Sequence, residues 1–139
     1  MYLVDTDVIS ELRKKDNANP GVIAFFKELS SSDAPLYLAA VTIGELRRGV
    51  ALVRYRGDAK QAEILEHWLG RLLADFGDSV LSFDADVAQV WGRLRAPNPE
   101  NPLDKQIAAT ALIHDLVLVT RNVKHFATVG VKLFNPFTE

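Results

Sequence analysis

In "MYLVDTDVISEL" the apolar residues Leu3 and Val4 run directly into Asp5, and Asp7 stands one residue beyond it. Strand interiors disfavour aspartate. Glu45 lies one helical turn past a second apolar run, Leu36–Val41. Asp104 opens an alanine-rich helical pattern, and Asn122 follows the run that ends at Val119 and Thr120. On a parallel sheet, positions just beyond the strand ends share one rim, where α/β proteins collect ligands. Several acids with an amide make an oxygen-rich pocket, and oxygen ligands suit Mg²⁺ or Mn²⁺ rather than zinc. Such an ion polarises a phosphate and lowers the pKa of a bound water.

Each of these residues also has a purely structural explanation. Asp5 or Asp7 can cap the first helix. Thr42-Ile43-Gly44-Glu45 fits a capping box. Asp104 is a first-turn acid favoured by the helix dipole, Asn122 can cap a short helix before Phe126, and Asp84 is read as a cap alone. Capping leaves Asp5 unexplained, because Asp7 already serves as a cap and Asp5 ends a buried strand. Other chemistries lack their residues. His67, His114 and His125 form no i,i+4 pair, and there is no cysteine, glycine-rich phosphate loop or G-x-S-x-G elbow. Arg47 and Arg48, just after Glu45, are either surface charges or phosphate contacts. Lys14-Lys15 and Arg54-Tyr55-Arg56 read as solvated surface, and Trp68 and Trp91 as core.

The elements that must position these groups alternate. Strands are expected at Tyr2–Val4, Leu36–Val41, Leu116–Val119 and Val131–Phe134, with a strand or connector at Val80–Phe83. Helical spacing runs through Val8–Arg13, with Asp7 as its cap. It recurs from Pro20 (apolar at Val22, Ile23, Phe26 and Leu29), through Thr42–Tyr55 (Ile43, Leu46, Val50 and Val53) and Ala59–Phe76. Two further helices follow, one from Asp84 to Leu94 and one over Leu103–His114. Lys14–Asn19 and "APNPENP" read as loops. Alternating strands and helices imply an α/β domain with a parallel sheet covered on both faces. At 139 residues the chain is one domain, 1–139. The absence of cysteine fits a reducing compartment, hence a cytoplasmic location. Asp5 and Asp7 break the N-terminal apolar run, which argues against a signal peptide, and no run is long enough to span a membrane. The net charge of -2 leaves room for only a local basic rim.

"YLVDTDVISEL", "AAVTIGELRRG", "LDKQIAATALIHDLVLVTRNVKHF" and "LFNPF" occur in the order found in a known family. The chain resembles the PIN-domain ribonuclease toxins of type II toxin–antitoxin systems, the VapC family in its FitB-like branch. That resemblance implies a single PIN-like domain, an α/β/α sandwich with a central parallel sheet. It implies Mg²⁺-dependent endoribonuclease activity, with Mn²⁺ as an alternative ion. It carries the family acids onto Asp5, Glu45 and Asp104 as metal ligands, with the fourth catalytic position on Asn122, where many relatives have aspartate. His125 falls on another position that is often acidic. Thr6 and Thr120 become hydroxyls that orient carboxylates or water. The implied partners are an antitoxin whose C-terminal segment blocks the site, an RNA substrate with tRNA among the candidates, and a second copy of the chain. The apolar faces of Val22–Leu29 and Ile43–Val53 are the expected dimer surface. Two other readings remain open: a non-catalytic PIN-fold binding protein, and a haloacid-dehalogenase-type phosphatase using Asp5 as nucleophile and Asp7 as acid.

Overall fold

Leu3 and Val4 project to opposite faces of the first strand, as strand geometry requires. Leu38 and Ala39, and Leu118 and Val119, do the same on its two neighbours. The consequence is two separate cores. Val4, Leu38 and Val119 join Val8, Val22, Phe25, Leu46, Val50 and Leu69 on one side of the sheet. Leu3, Ala39 and Leu118 join Ile107, Ala108, Ala111 and Phe126 on the other. The computed structural model describes all residues, 1–139.

The strands are β1 (Tyr2–Val4), β2 (Leu36–Ala39), β3 (Val80–Leu81), β4 (Val117–Val119) and β5 (Leu133–Phe134). They form one sheet in the order β3-β2-β1-β4-β5, and every pairing is parallel. Tyr2, Leu3 and Val4 pair with Val117, Leu118 and Val119. The helices are α1 (Thr6–Glu11), α2 (Pro20–Ser32), α3 (Ala40–Tyr55), α4 (Ala59–Phe76), α5 (Ala85–Arg95), α6 (Pro102–Ile113) and α7 (Val123–Phe126). From β1 the chain winds outward to β2 and β3, then returns to the other side of β1 for β4 and β5. The winding direction therefore reverses between β1 and β4, and a crevice opens at such a reversal, beyond the strand ends. The α/β/α layering is the expected one.

Several local expectations need correction. Asp5, not Asp7, is the N-cap of α1; its side chain accepts from the Thr6 N–H. The strand expected to reach Val41 stops at Ala39, and α3 starts at Ala40. Thr42 and Glu45 therefore lie inside a helix that is already under way, and their capping box does not form. Leu12–Asn17 is a 3-10 turn rather than an irregular loop. In α2 the core face is Val22 and Phe25; Phe25 packs edge-on against Tyr2 and Phe26. Phe26 and Leu29, like Ile43 and Val53, pack against the same core from its edge. The faces expected to form a dimer surface are thus largely used inside this one chain. Trp68 and Trp91 are only half-buried. The Trp91 Nε1–H donates to the Pro102 carbonyl at 2.9 Å, and the Arg95 guanidinium lies 4.7 Å above the Trp91 ring.

Candidate functional site

Asp5 sits at the reversal point. Its backbone N–H donates to the Val119 carbonyl at 2.9 Å, which continues the β1–β4 pairing by one residue. Its side chain is buried and is held at both oxygens. Oδ1 accepts from the Thr6 N–H at 2.8 Å, and Oδ2 accepts from the Thr120 hydroxyl at 2.7 Å. Thr120, itself buried just past β4, accepts in turn from the Asn122 N–H at 3.0 Å. Burial, then the neighbouring Asp7 charge, push the Asp5 carboxyl up to about 7; the hydrogen bonds from Thr120 and Thr6 act against this, and Asp104 adds to it.

Thr6 links two of the expected ligands. Its hydroxyl donates to Glu45 Oε1 at 2.9 Å and lies 3.2 Å from the Thr42 hydroxyl. Glu45 thus joins the site from α3 through Thr6. Asp104 arrives from the first turn of α6, entered through left-handed Asn101 and then Pro102, which suits a first helical position. Small, buried residues on α6, Ala108 and Ala111 among them, allow it to pack close to the sheet. The neighbouring Lys105 is buried, and its Nζ donates to the Glu100 carbonyl, pinning the α5–α6 connection. His125 Nδ1 lies 2.9 Å from Asp104 Oδ2, so His125 holds the Asp104 carboxylate.

Asp7, assigned to capping by its sequence position and to an acid's role only in the dehalogenase reading, lies beside Asp5 and Asp104. As the second residue of α1 it has no capping task. Both of its carboxylate oxygens are buried, and no side chain is hydrogen-bonded to either; the backbone N–H groups of Val8 and Arg121 face them. Burial raises its pKa; the nearby Val8 and Arg121 N–H groups ease the charge, and Asp104 raises the pKa further. Asp5, Asp7 and Asp104 are therefore electrostatic neighbours. Asn122 has an exposed side chain and reaches the site through its backbone. Arg47 and Arg48 are both exposed, and Arg47 is bound to Glu66 at 2.7 Å.

No three His, Asp or Glu side chains are drawn closely enough together to enclose a metal ion. The donor chemistry nonetheless suits a hard divalent cation, since the groups are carboxylates and no side chain is bonded to the buried Asp7 oxygens. Beside the acids runs a groove. A cavity of about 260 Å³ contains Thr6 and Glu45. It shares Arg13, Leu65 and Trp68 with a larger cavity of about 650 Å³, whose rim carries Lys14, Lys15 and Arg71. No helix is long and apolar enough to cross a membrane.

Residues 2–132 match the PIN domain family. The chain is 36% identical to Toxin FitB of Neisseria gonorrhoeae, with 99% of each chain covered. It is 32% identical to VapC ribonuclease Y4jK of Sinorhizobium fredii, covering 99% of this chain and 98% of that one. The crystal structure of FitAcB from Neisseria gonorrhoeae superposes with a TM-score of 0.86 at 34% identity, covering 98% of each chain. This sets aside the haloacid-dehalogenase reading of Asp5 and Asp7. The family match over residues 2–132 and relatives above 30% identity along the whole chain place it: the chain belongs to the PIN-domain family, in its VapC-type, FitB-like branch.

Proposed function

We propose that the chain is the toxin of a type II toxin–antitoxin module, an endoribonuclease that hydrolyses RNA phosphodiester bonds with Mg²⁺ or Mn²⁺. The observation that carries this reading is the cluster of Asp5, Asp7 and Asp104 at the β1–β4 crevice, three carboxylates close enough for their charges to act on one another, with His125 the only basic side chain bonded to one of them and Arg121 near another. Asp5 and Asp104 would hold the ion, with Glu45 as a further ligand or as the base. When bound, the ion activates water and neutralises charge that develops on the phosphate.

The chain's own residues perform the positioning. Thr120 and the Thr6 N–H fix the two oxygens of Asp5 in one orientation. His125 fixes one oxygen of Asp104 and leaves the other free. Thr6 orients Glu45, whose second oxygen is available to take a proton from an attacking water. Without a cation these acids would repel an RNA backbone, so substrate binding and cation binding are coupled. Arg48 and the basic groove rim supply the phosphate contacts.

The groove also suits an antitoxin. Leu65, Trp68 and the exposed Ile64 give it an apolar floor, and Arg13, Lys14, Lys15 and Arg71 a basic rim. An apolar segment with acidic residues would lie along it and end against Glu45, blocking the acids. RNA cleavage by the purified protein with Mg²⁺ or Mn²⁺, and with EDTA in parallel, tests the activity. Cleavage that survives EDTA would remove the ion from the mechanism.

A further inference from the structure

We infer that Arg121, held at the mouth of the crevice by the Phe137 ring of the C-terminal tail, grips a phosphate of the RNA where the strand enters. The inference rests on the proposed RNA-cleaving activity and adds a substrate contact to that site.

The chain delivers Arg121 to the rim directly. The residue before it, Thr120, donates its hydroxyl to Asp5, and the residue after it, Asn122, donates its N–H back to Thr120. The Arg121 backbone N–H faces the Asp7 carboxylate. Asp7 and Glu11 lie four residues apart on α1 and so share one face of that helix. Burial raises the Asp7 pKa, and the Arg121 charge is among the influences that ease it. The hydrogen bond from Lys14 does most to lower the Glu11 pKa, and the Arg121 charge adds to it. The guanidinium therefore stands near both acids of this face.

It is nevertheless uncommitted. Lys14, Arg47, Arg54 and Lys132 are each paired with a carboxylate. Arg121 is exposed, and its side chain pairs with none. Its guanidinium carbon lies instead 4.6 Å from the centre of the Phe137 ring. Stacking covers one face of the guanidinium plane and leaves its N–H edges open, the edges that fork around a phosphate. The ring is itself fixed. Phe137 is buried in the core on the α2 side of the sheet, and its N–H donates to the Asn135 side chain at 3.0 Å. The next residue, Thr138, donates its N–H to Asn19. An arginine mounted on such a support loses less conformational freedom when it grips a ligand.

Position and charge decide what that ligand is. RNA that approaches the acids meets their negative potential, and a fixed cation at the mouth offsets it. An acidic protein segment has its own place, the apolar groove rimmed by Arg13, Lys14, Lys15 and Arg71, and Arg121 does not line that groove.

The test is turnover of bulk tRNA with Mn²⁺ over a series of KCl concentrations. It compares the unaltered chain, Arg121→Gln, Arg121→Lys, Phe137→Leu and Asp104→Asn, each first shown by melting to be folded. Arg121→Gln should raise KM about tenfold, as loss of a charged hydrogen bond does, and change kcat by less than about threefold. Its log kcat/KM should fall less steeply with log salt, by about 0.7 to 0.9 for one lost phosphate contact. Arg121→Lys should restore that slope but only part of the KM, because lysine keeps the charge and loses the fork. Phe137→Leu should raise KM roughly threefold, the worth of an exposed cation–π contact; an unchanged KM there would overturn the role of the tail. Unchanged KM and slope in Arg121→Gln, with turnover lost in Asp104→Asn, would overturn the role of Arg121 and leave the nuclease reading standing. A fall in kcat alone would overturn it as well, since it would tie Arg121 to the acids and not to the substrate. Absence of turnover in the unaltered chain would overturn the nuclease reading itself, and the inference with it.

Discussion

Asp5 carries a carboxyl whose pKa in the fold is about 7, against 3.8 for the free side chain. The folded state therefore binds this proton more tightly than the unfolded state does. With the folded pKa raised, the metal-free fold loses stability as pH climbs from about 4 to about 7, and the loss is complete above that window. Its size is on the order of 2–4 kcal/mol. Melting curves in EDTA across this range, compared with Asp5→Asn, should show the fall in the unaltered chain and its absence in the variant. A cation needs the ionised carboxylate, so Mn²⁺ affinity should rise over the same window, with proton release on binding. Glu45→Gln makes a separate point. Glu45 lies beyond the first turn of α3 and caps nothing, so stability should hold within about 0.5 kcal/mol while RNA cleavage falls. Unchanged turnover at saturating metal would return Glu45 to a surface role. The places of Asp5 at a strand end and of Asp104 in the first turn of a helix were legible in the sequence because apolar runs bound both. Asp7 reads as a cap in the sequence, and only packing reveals that no side chain is bonded to its buried oxygens.

The elements were legible to differing degrees for a physical reason. α4 is expected and found over Ala59–Phe76, since a long amphipathic face and the Gly57-Asp58 break define it from both ends. The β2–α3 junction was not legible. Ala39, Ala40 and Val41 are apolar in either state, and the chain changes conformation within a continuous apolar run. The core residue of α2 was likewise ambiguous. Adjacent Phe25 and Phe26 both fit a helical face, and the contact of Phe25 with Tyr2 on the sheet decides between them. The C-terminal tail has a role that no periodicity encodes. Asn19 accepts from the Gly21 N–H and from the Thr138 N–H, tying the tail to the start of α2. A β-carbon added at Gly21 would fall 2.1 Å from the Pro136 carbonyl oxygen. Gly21→Ala should therefore displace the tail and destabilise the protein by about 1–3 kcal/mol in urea denaturation. A stability equal to that of the unaltered chain would mean that the tail yields freely.

At the scale of the whole molecule, the fold brings an acidic crevice and a basic, apolar groove side by side within a chain of net charge -2. Composition reports only their near-cancellation, which is why the groove escapes sequence reading while the α/β/α layering does not. Opposite charge segregated in this way suits two ligands in turn: RNA, drawn in once a cation occupies the acids, and an acidic, apolar protein segment along the groove. Ile64→Asp places a carboxylate on the apolar floor. It should weaken binding of the proposed antitoxin by about tenfold or more, read by titration calorimetry of the purified pair. Undiminished affinity would move the antitoxin to another face. The central claim, that the acids at the β1–β4 crevice cleave RNA, meets its most direct test in one measurement. RNA turnover with Mn²⁺ is compared among the unaltered chain, Asp5→Asn and Asp104→Asn, each first shown by melting to be folded. The expected result is a loss of about a hundredfold or more in both variants. Turnover retained in either folded variant would contradict the claim.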